Sequence, residues 1–273
     1  MKGLRVKIIL LALALLLTGG YCAKADVVLT DANSGVNINF DNPNSIMGMN
    51  TWTVDGVDQM FQQWFWYRIG ATGPESSIDT LGLSGSGLGR IGEISGQSAG
   101  LFSIDILYAL TGGTAGSTRS DVAETIRIVS LANTALAFHF FQYSDFDLNG
   151  YIGGQTVSVT PARAVQSGPA YGNTAFTETI IGPTPSHLEA NTYASTLSSL
   201  NNGSPTTLND NPNAYGDATW AYQWDFTLNP GGSFLISKDK AVYPVPEPAT
   251  LLLMGTGLLA LGRKVRSRGS KKS

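Results

Sequence analysis

From Trp220 to Leu228 every second residue is large and apolar: Trp220, Tyr222, Trp224, Phe226 and Leu228, with Ala221, Gln223, Asp225 and Thr227 between them. Successive side chains of a strand point to opposite faces, so this alternation predicts a half-buried β-strand. Phe102, Ile104, Ile106, Tyr108 and Leu110 repeat the pattern, and Val36, Ile38 and Phe40 give a shorter version. The residues between such runs are mostly turn formers, with 32 Gly and only 14% charged residues in the chain. Gly and Asn favour turns, whereas Thr and aromatics favour pleated strands. The expectation is a mainly β chain, an antiparallel two-sheet β-sandwich of about a dozen strands. Asn229-Pro230-Gly231-Gly232 predicts a hairpin into Phe234–Lys238, and Ile126–Ser130 and Leu136–Tyr143 flank another short connection. One short helix is predicted from Pro185 to near Leu200, with Thr184 as N-cap. The Gly-rich stretch 82–100 is expected to be a mobile loop.

Trp64, Phe65, Trp66 and Tyr67 form an aromatic block. Flat rings suit the apolar faces of sugars, which would make the block a stacking platform. Neighbours in a strand face opposite ways, however, so the four cannot share one surface. A central strand buried on both sides explains them better.

Both ends differ from the body. Lys2, Arg5 and Lys7 precede an apolar run from Ile8 to Leu17, and Ala23-Lys24-Ala25 places small residues at −3 and −1. This predicts a signal peptide over 1–25, cut by signal peptidase before Asp26. Cys22 raises a lipoprotein alternative, but that route wants a small residue before the Cys and Tyr21 is bulky. At the other end, Val245-Pro246-Glu247-Pro248 precedes a Leu- and Gly-rich run, Ala249 to Gly262, and then Arg263, Lys264, Arg266, Arg268, Lys271 and Lys272. As a single hydrophobic helix the run would be about 21 Å long. The hydrocarbon core is about 30 Å, so this is a marginal span suited to temporary retention. The basic cluster would stay cytoplasmic and leave the body outside. Pro246 and Pro248 keep Glu247 on an extended stalk. The plainer alternative is an ordinary anchor behind a Pro-rich linker.

These three parts, in this order, resemble the C-terminal sorting domain of PEP-CTERM proteins, with Pro246, Glu247 and Pro248 matching the motif residue for residue. The resemblance implies recognition by an exosortase and passage through the inner membrane of a Gram-negative bacterium. The tail would then be removed, and the protein would end at the cell surface or in the exopolysaccharide matrix. Phe61–Arg68 and Phe140–Asp147 also resemble the body of an uncharacterised group of these proteins. The resemblance implies no activity for the body. The chain thus divides into 1–25, a β-sandwich over 26–243, and a sorting signal over 244–273.

Charge supports this division. Ten of the 17 Lys and Arg lie in the two ends, while all 20 Asp and Glu lie between Asp26 and Glu247. The net −3 therefore hides an acidic exported body, which argues against nucleic-acid or anionic-lipid partners. Cys22 is the chain's only cysteine and is expected to leave with the signal, so no disulfide or Cys-ligated metal is available to the mature body.

Three chemical patterns stand out. Gly87-Leu88-Gly89-Arg90-Ile91-Gly92 spells G-x-G-x-x-G, but no helix follows to meet a pyrophosphate, so a dinucleotide cofactor is not expected. Asp145-Phe146-Asp147-Leu148-Asn149-Gly150 matches the opening of an EF-hand loop, with Asp145, Asp147 and Asn149 as calcium candidates. Position twelve is Thr156 rather than Glu, and the flank reads as strand, so an acidic turn is the alternative. His139 and His187 fall in no metal spacing and are expected to be packed or surface residues. No catalytic residue and no other cofactor is assigned, and whether carboxylates pair as in a glycosidase cannot be read from sequence. The leading expectation is a non-enzymatic surface or exopolysaccharide-matrix protein. The alternatives are a carbohydrate-binding module and, behind it, a secreted hydrolase.

Overall fold

A computed structural model describes residues 26–42, 45–168 and 174–245. The signal segment with Ala23 and Ala25, the motif residues Pro246, Glu247 and Pro248, the hydrophobic run and Arg263, Lys264, Arg266 and Arg268 lie outside the described residues. Among the described residues no helix is long and apolar enough to cross a membrane.

The chain is mainly β. In order, the strands are β1 (Val27–Asp31), β2 (Ser34–Asn39), β3 (Gly48–Val54), β4 (Val57–Asp58), β5 (Gln62–Ile69) and β6 (Ser76–Ser77). Then come β7 (Ser84–Leu88), β8 (Ile91–Ser98), β9 (Phe102–Gly112), β10 (Ser120–Ser130), β11 (Leu136–Asp145) and β12 (Gln155–Thr160). The last are β13 (Arg163–Ser167), β14 (Thr174–Gly182), β15 (His187–Thr192), β16 (Asn213–Gly216), β17 (Ala218–Leu228) and β18 (Ser233–Pro244). The first sheet runs β1-β2-β3-β5-β11-β17-β15, with β4 on β3 and β6 on β5. The second runs β16-β12-β13-β14-β18-β10-β9-β8-β7. The two form an antiparallel sandwich, with more strands than the dozen expected because several are very short.

Alternation holds where it is cleanest. In β9, Phe102, Ile104, Ile106, Tyr108 and Leu110 are buried and point between the sheets. In β17 the intervening Ala221 and Gln223 are buried as well, because the outer face of the first sheet is covered too. The cover is a 3-10 turn at Ile78–Leu81 and the helix α1, Ser195–Leu200. This cover explains β5. Phe65 faces the second sheet and stacks on Phe140 at 5.5 Å. On the other side, the Trp64 indole N–H donates to Ser77 Oγ (2.9 Å) and that of Trp66 to Asn201 Oδ1 (3.2 Å). The aromatic block is core on both faces. A deeper cluster fills one end of the sandwich, where Phe146 stacks on Trp220 at 5.3 Å and 12° and Phe176 packs beside them.

Three local expectations are corrected. The helix starts only at Ser195, because His187–Thr192 is a strand paired with β17; Pro185 and Thr184 precede it and cap nothing. Leu188, Glu189 and Ala190 are all buried, so a sheet neighbour outweighs the helix-start signal. The Asn229–Gly232 turn forms, with Gly232 N–H donating to Asn229 O at 2.8 Å, but it does not make a hairpin. It carries the chain from the first sheet to the second, where β18 pairs with β10 and β14. The 82–100 stretch is a hairpin, β7–β8, that extends the second sheet. Its glycines allow a close approach. A Cβ on Gly92 would lie 2.6 Å from Val27 Cγ1, and one on Gly85 2.7 Å from the Phe40 ring. The G-x-G-x-x-G glycines thus seat a hairpin over β1, between two strands and with no helix following.

Candidate functional site

The first sheet ends in an acidic pocket. Asp145 is the last residue of β11, and its side chain points to the outer face of the sheet. Its backbone carbonyl accepts from Phe61 N–H at 3.1 Å, which fixes the Phe61 ring beside it. Across the sheet, Asp217 precedes β17, and its carbonyl accepts from Tyr193 N–H at 2.9 Å. Phe61 and Tyr193 meet edge to face at 5.6 Å. With Asp147 and Ile152 these residues line a cleft of about 210 Å3. One oxygen from each of Asp145, Asp147 and Asp217 lies within 4.8 Å of the others. Two backbone hydrogen bonds therefore set an aromatic rim over three carboxyls.

Burial, and for Asp145 and Asp147 also neighbouring charge, disfavours ionisation of these carboxyls. Asp145 is buried and accepts from the Tyr143 hydroxyl at 3.2 Å. Burial, then the charges of Asp147 and Asp217, push its pKa up to about 8. Burial and then Asp217 push Asp147 up to about 6, and burial raises Asp217. The trio thus holds both hydrogen-bond donors and acceptors near neutral pH, since a protonated carboxyl donates.

Of the sequence candidates, Asp145 and Asp147 come together. Asn149 does not join them, because its side-chain oxygen accepts from Thr174 Oγ1 at 2.8 Å and its backbone adopts φ 58°. The third carboxyl comes from Asp217, seventy residues beyond Asp147. Only a Gly216-Asp217 turn signal marks it in the sequence, and nothing there links it to Asp145. Phe61 and Tyr193 are equally hidden.

The outer face of the first sheet carries a second polar group. His139 Nδ1 lies 2.6 Å from Asp225 Oδ1, and His187 Nε2 lies 3.8 Å from Asp225 Oδ2. His187 Nδ1 also contacts Asp210 at 3.0 Å, and this hydrogen bond holds the Asp210 carboxyl below its usual range. Both histidines of the chain thus meet one aspartate, an arrangement that β11, β15 and β17 create side by side. On the second sheet, burial and then Asp239 raise Asp121 to about 7, a carboxyl pair shared by β10 and β18.

At the C-terminal end, the last described strand stops at Pro244. Residues 244–267 match the model of the PEP-CTERM protein-sorting motif. The chain carries a PEP-CTERM sorting motif. The motif implies an exosortase as processing partner, export, and a membrane-anchored intermediate. No curated protein matches the chain in sequence. Solved structures match its fold. A bacterial glucoamylase complexed with acarbose is similar at 7% identity and TM-score 0.54, over 86% of this chain and 35% of that one. The chain thus spans about a third of the glucoamylase. A proposed aldose 1-epimerase from Escherichia coli K12 is similar at 8% identity and TM-score 0.54, over 81% of this chain and 99% of that one. At these identities the likeness is one of fold alone.

Proposed function

We propose that this protein is a non-enzymatic component of the cell surface or exopolysaccharide matrix, and that its sandwich holds a glycan in the Asp145–Asp147–Asp217 pocket. The observation that carries this reading is the pairing of three carboxyls with an aromatic rim. Rings such as Tyr193 cover the apolar face of a sugar, while carboxyls below take its hydroxyls, the usual division of labour in a ligand pocket. Fold neighbours whose names refer to sugar chemistry support the reading without specifying it. Holding is favoured because one oxygen of each of the three carboxyls converges within 4.8 Å of the other two, an arrangement suited to gripping a group of hydroxyls.

The test is a glycan array with the exported protein and a Tyr193→Ala variant. Binding to at least one polysaccharide class is expected, and the variant should weaken it by roughly tenfold, equivalent to about 1.4 kcal/mol. Binding that survives unchanged in the variant, or none at all, would reject the pocket. Tryptophan fluorescence is a poor readout, because all five tryptophans are buried.

A second reading, calcium held by the same trio, is favoured by the proximity of the three oxygens, with Asp217 in the place that the sequence assigns to Asn149. Processing has its own check. Protein recovered outside the cells is expected to lack any peptide spanning Arg263–Arg268. An intact chain held at steady state in the inner membrane would refute processing.

A further inference from the structure

The middle of the sandwich is polar. Lys238 and Lys240 of β18 point inward, flanked by Glu124 of β10 and Glu178 of β14, and Gln63 and Gln142 of the first sheet face them. All six side chains are buried. The two glutamines are held differently. The Gln142 amide nitrogen donates to Ser144 Oγ at 2.9 Å and to both Glu178 oxygens at 2.8 Å. Gln63 Oε1 accepts from Lys240 Nζ at 3.0 Å, but its buried amide nitrogen has no hydrogen-bond partner. Native cores rarely leave such a donor unmet, and the cost is substantial. Lys240 Nζ in turn lies 2.5 Å from Glu124 Oε2. An amine, a carboxamide and a carboxylate are thus in contact in a dry site, and the amide nitrogen is the one group nothing retains.

We propose that Lys240 and Gln63 join in an intramolecular isopeptide bond, with Glu124 carrying the protons. Glu124 takes a proton from the Lys240 ammonium, and the free amine attacks Gln63 Cδ. The Cδ–Nζ bond forms and the Cδ–Nε2 bond breaks. Nζ keeps one hydrogen of its three, and the other two pass by way of Glu124 to Nε2, which leaves as ammonium. Atoms and charge balance without any co-reactant. Three features favour the step. Burial, the largest influence, and the nearby Lys238 charge hold the Lys240 amine below its usual pKa despite Glu124, which promotes the nucleophilic form. The contact pre-orients amine and amide. Exclusion of water suppresses competing hydrolysis. The link would join strands of opposite sheets across 177 positions of sequence, the kind of closure that constrains an unfolded chain. It would do so in a body expected to have no cysteine for a disulfide.

The test is peptide-level mass spectrometry of the protein as the cell exports it, which is independent of how either end is processed. The expected product is a branched species joining the Gln63 and Lys240 peptides, lighter than their sum by one ammonia. It should be abolished in Lys240→Arg and strongly reduced in Glu124→Gln. Full recovery of separate, unmodified Gln63 and Lys240 peptides from the parent protein would overturn the proposal, and that measurement needs no variant to fold. A link between Lys238 and Gln142 instead would also overturn it. An undiminished yield in Glu124→Gln would remove Glu124 from the reaction.

Discussion

A Lys238→Ala variant is expected to be less stable than the parent protein by about 3–5 kcal/mol. Lys238 pairs with Glu124, lies 3.5 Å from Glu178 Oε1, and sits 4.9 Å above the Phe65 ring, with both ion-pair partners fully buried. Burial alone would raise the Glu124 carboxyl, but the Lys238 and Lys240 ammoniums outweigh it and hold the group below its usual range. Removing the Lys238 ammonium leaves two glutamates with Lys240 as the single remaining cation inside the sandwich of the unlinked chain, and with none once Lys240 is amidated. Glu178 would keep only neutral donors, the Gln142 amide and the Trp220 indole N–H at 3.0 Å. Desolvated charge without a counter-charge is the dominant cost, well above the loss of methylene packing. Lys238→Met, which restores most of the volume, should therefore be nearly as damaging as Lys238→Ala. Adding Glu178→Gln to Lys238→Met should recover part of the loss. Denaturant unfolding at neutral pH measures all three. A loss under about 1 kcal/mol in Lys238→Ala would mean that water enters the cluster or that the charges are not buried.

Nothing in the local sequence announces that cluster. Ser237-Lys238-Asp239-Lys240 looks like a solvated edge strand, rich in charge. Only the register shows otherwise: Glu124 stands opposite Lys238, and Glu178 opposite Lys240, so lysines and glutamates share the inner face. The same limit explains the absent hairpin at Asn229–Gly232. Turn residues specify a turn, which forms there, but they do not specify which strand the chain meets next. Periodicity was legible. The alternation of β9 and the double burial of β5 follow from which side chains fit a pleated surface, and both hold in the structure. The pocket was half legible, since Asp145 and Asp147 are two residues apart, whereas Asp217, Phe61 and Tyr193 reach it through strand pairing and backbone hydrogen bonds. His139 and His187 converge on Asp225 for the same reason.

The exported domain is expected to lose stability as pH rises from about 4 to about 8, with Asp121 of the second sheet acting in the same direction as the pocket carboxyls, and Asp145→Asn should flatten part of that slope. The ordinary value for Asp145 is 3.8, and in the fold it stands at about 8. Between these values the folded chain retains a proton that the unfolded chain has released. Stability therefore falls with rising pH through this window, and the penalty is fully developed only above the folded value. Asp147, raised to about 6, acts in the same direction. A tenfold change in proton affinity corresponds to about 1.4 kcal/mol, so a change on the order of several kcal/mol is at stake, shared among the three carboxyls. Asparagine keeps the shape of the side chain and cannot ionise, so the variant should melt higher than the parent near pH 8 and about equally near pH 4. Thermal unfolding across that range decides the matter. A parent midpoint that rises with pH would contradict the crowded-carboxyl geometry. Calcium supplies a further arm of the same experiment. If a cation sits among Asp145, Asp147 and Asp217, millimolar calcium should restore the parent's midpoint near pH 8 by holding all three ionised, and it should do far less for Asp145→Asn. A midpoint indifferent to calcium would leave the pocket to protons and to sugar hydroxyls.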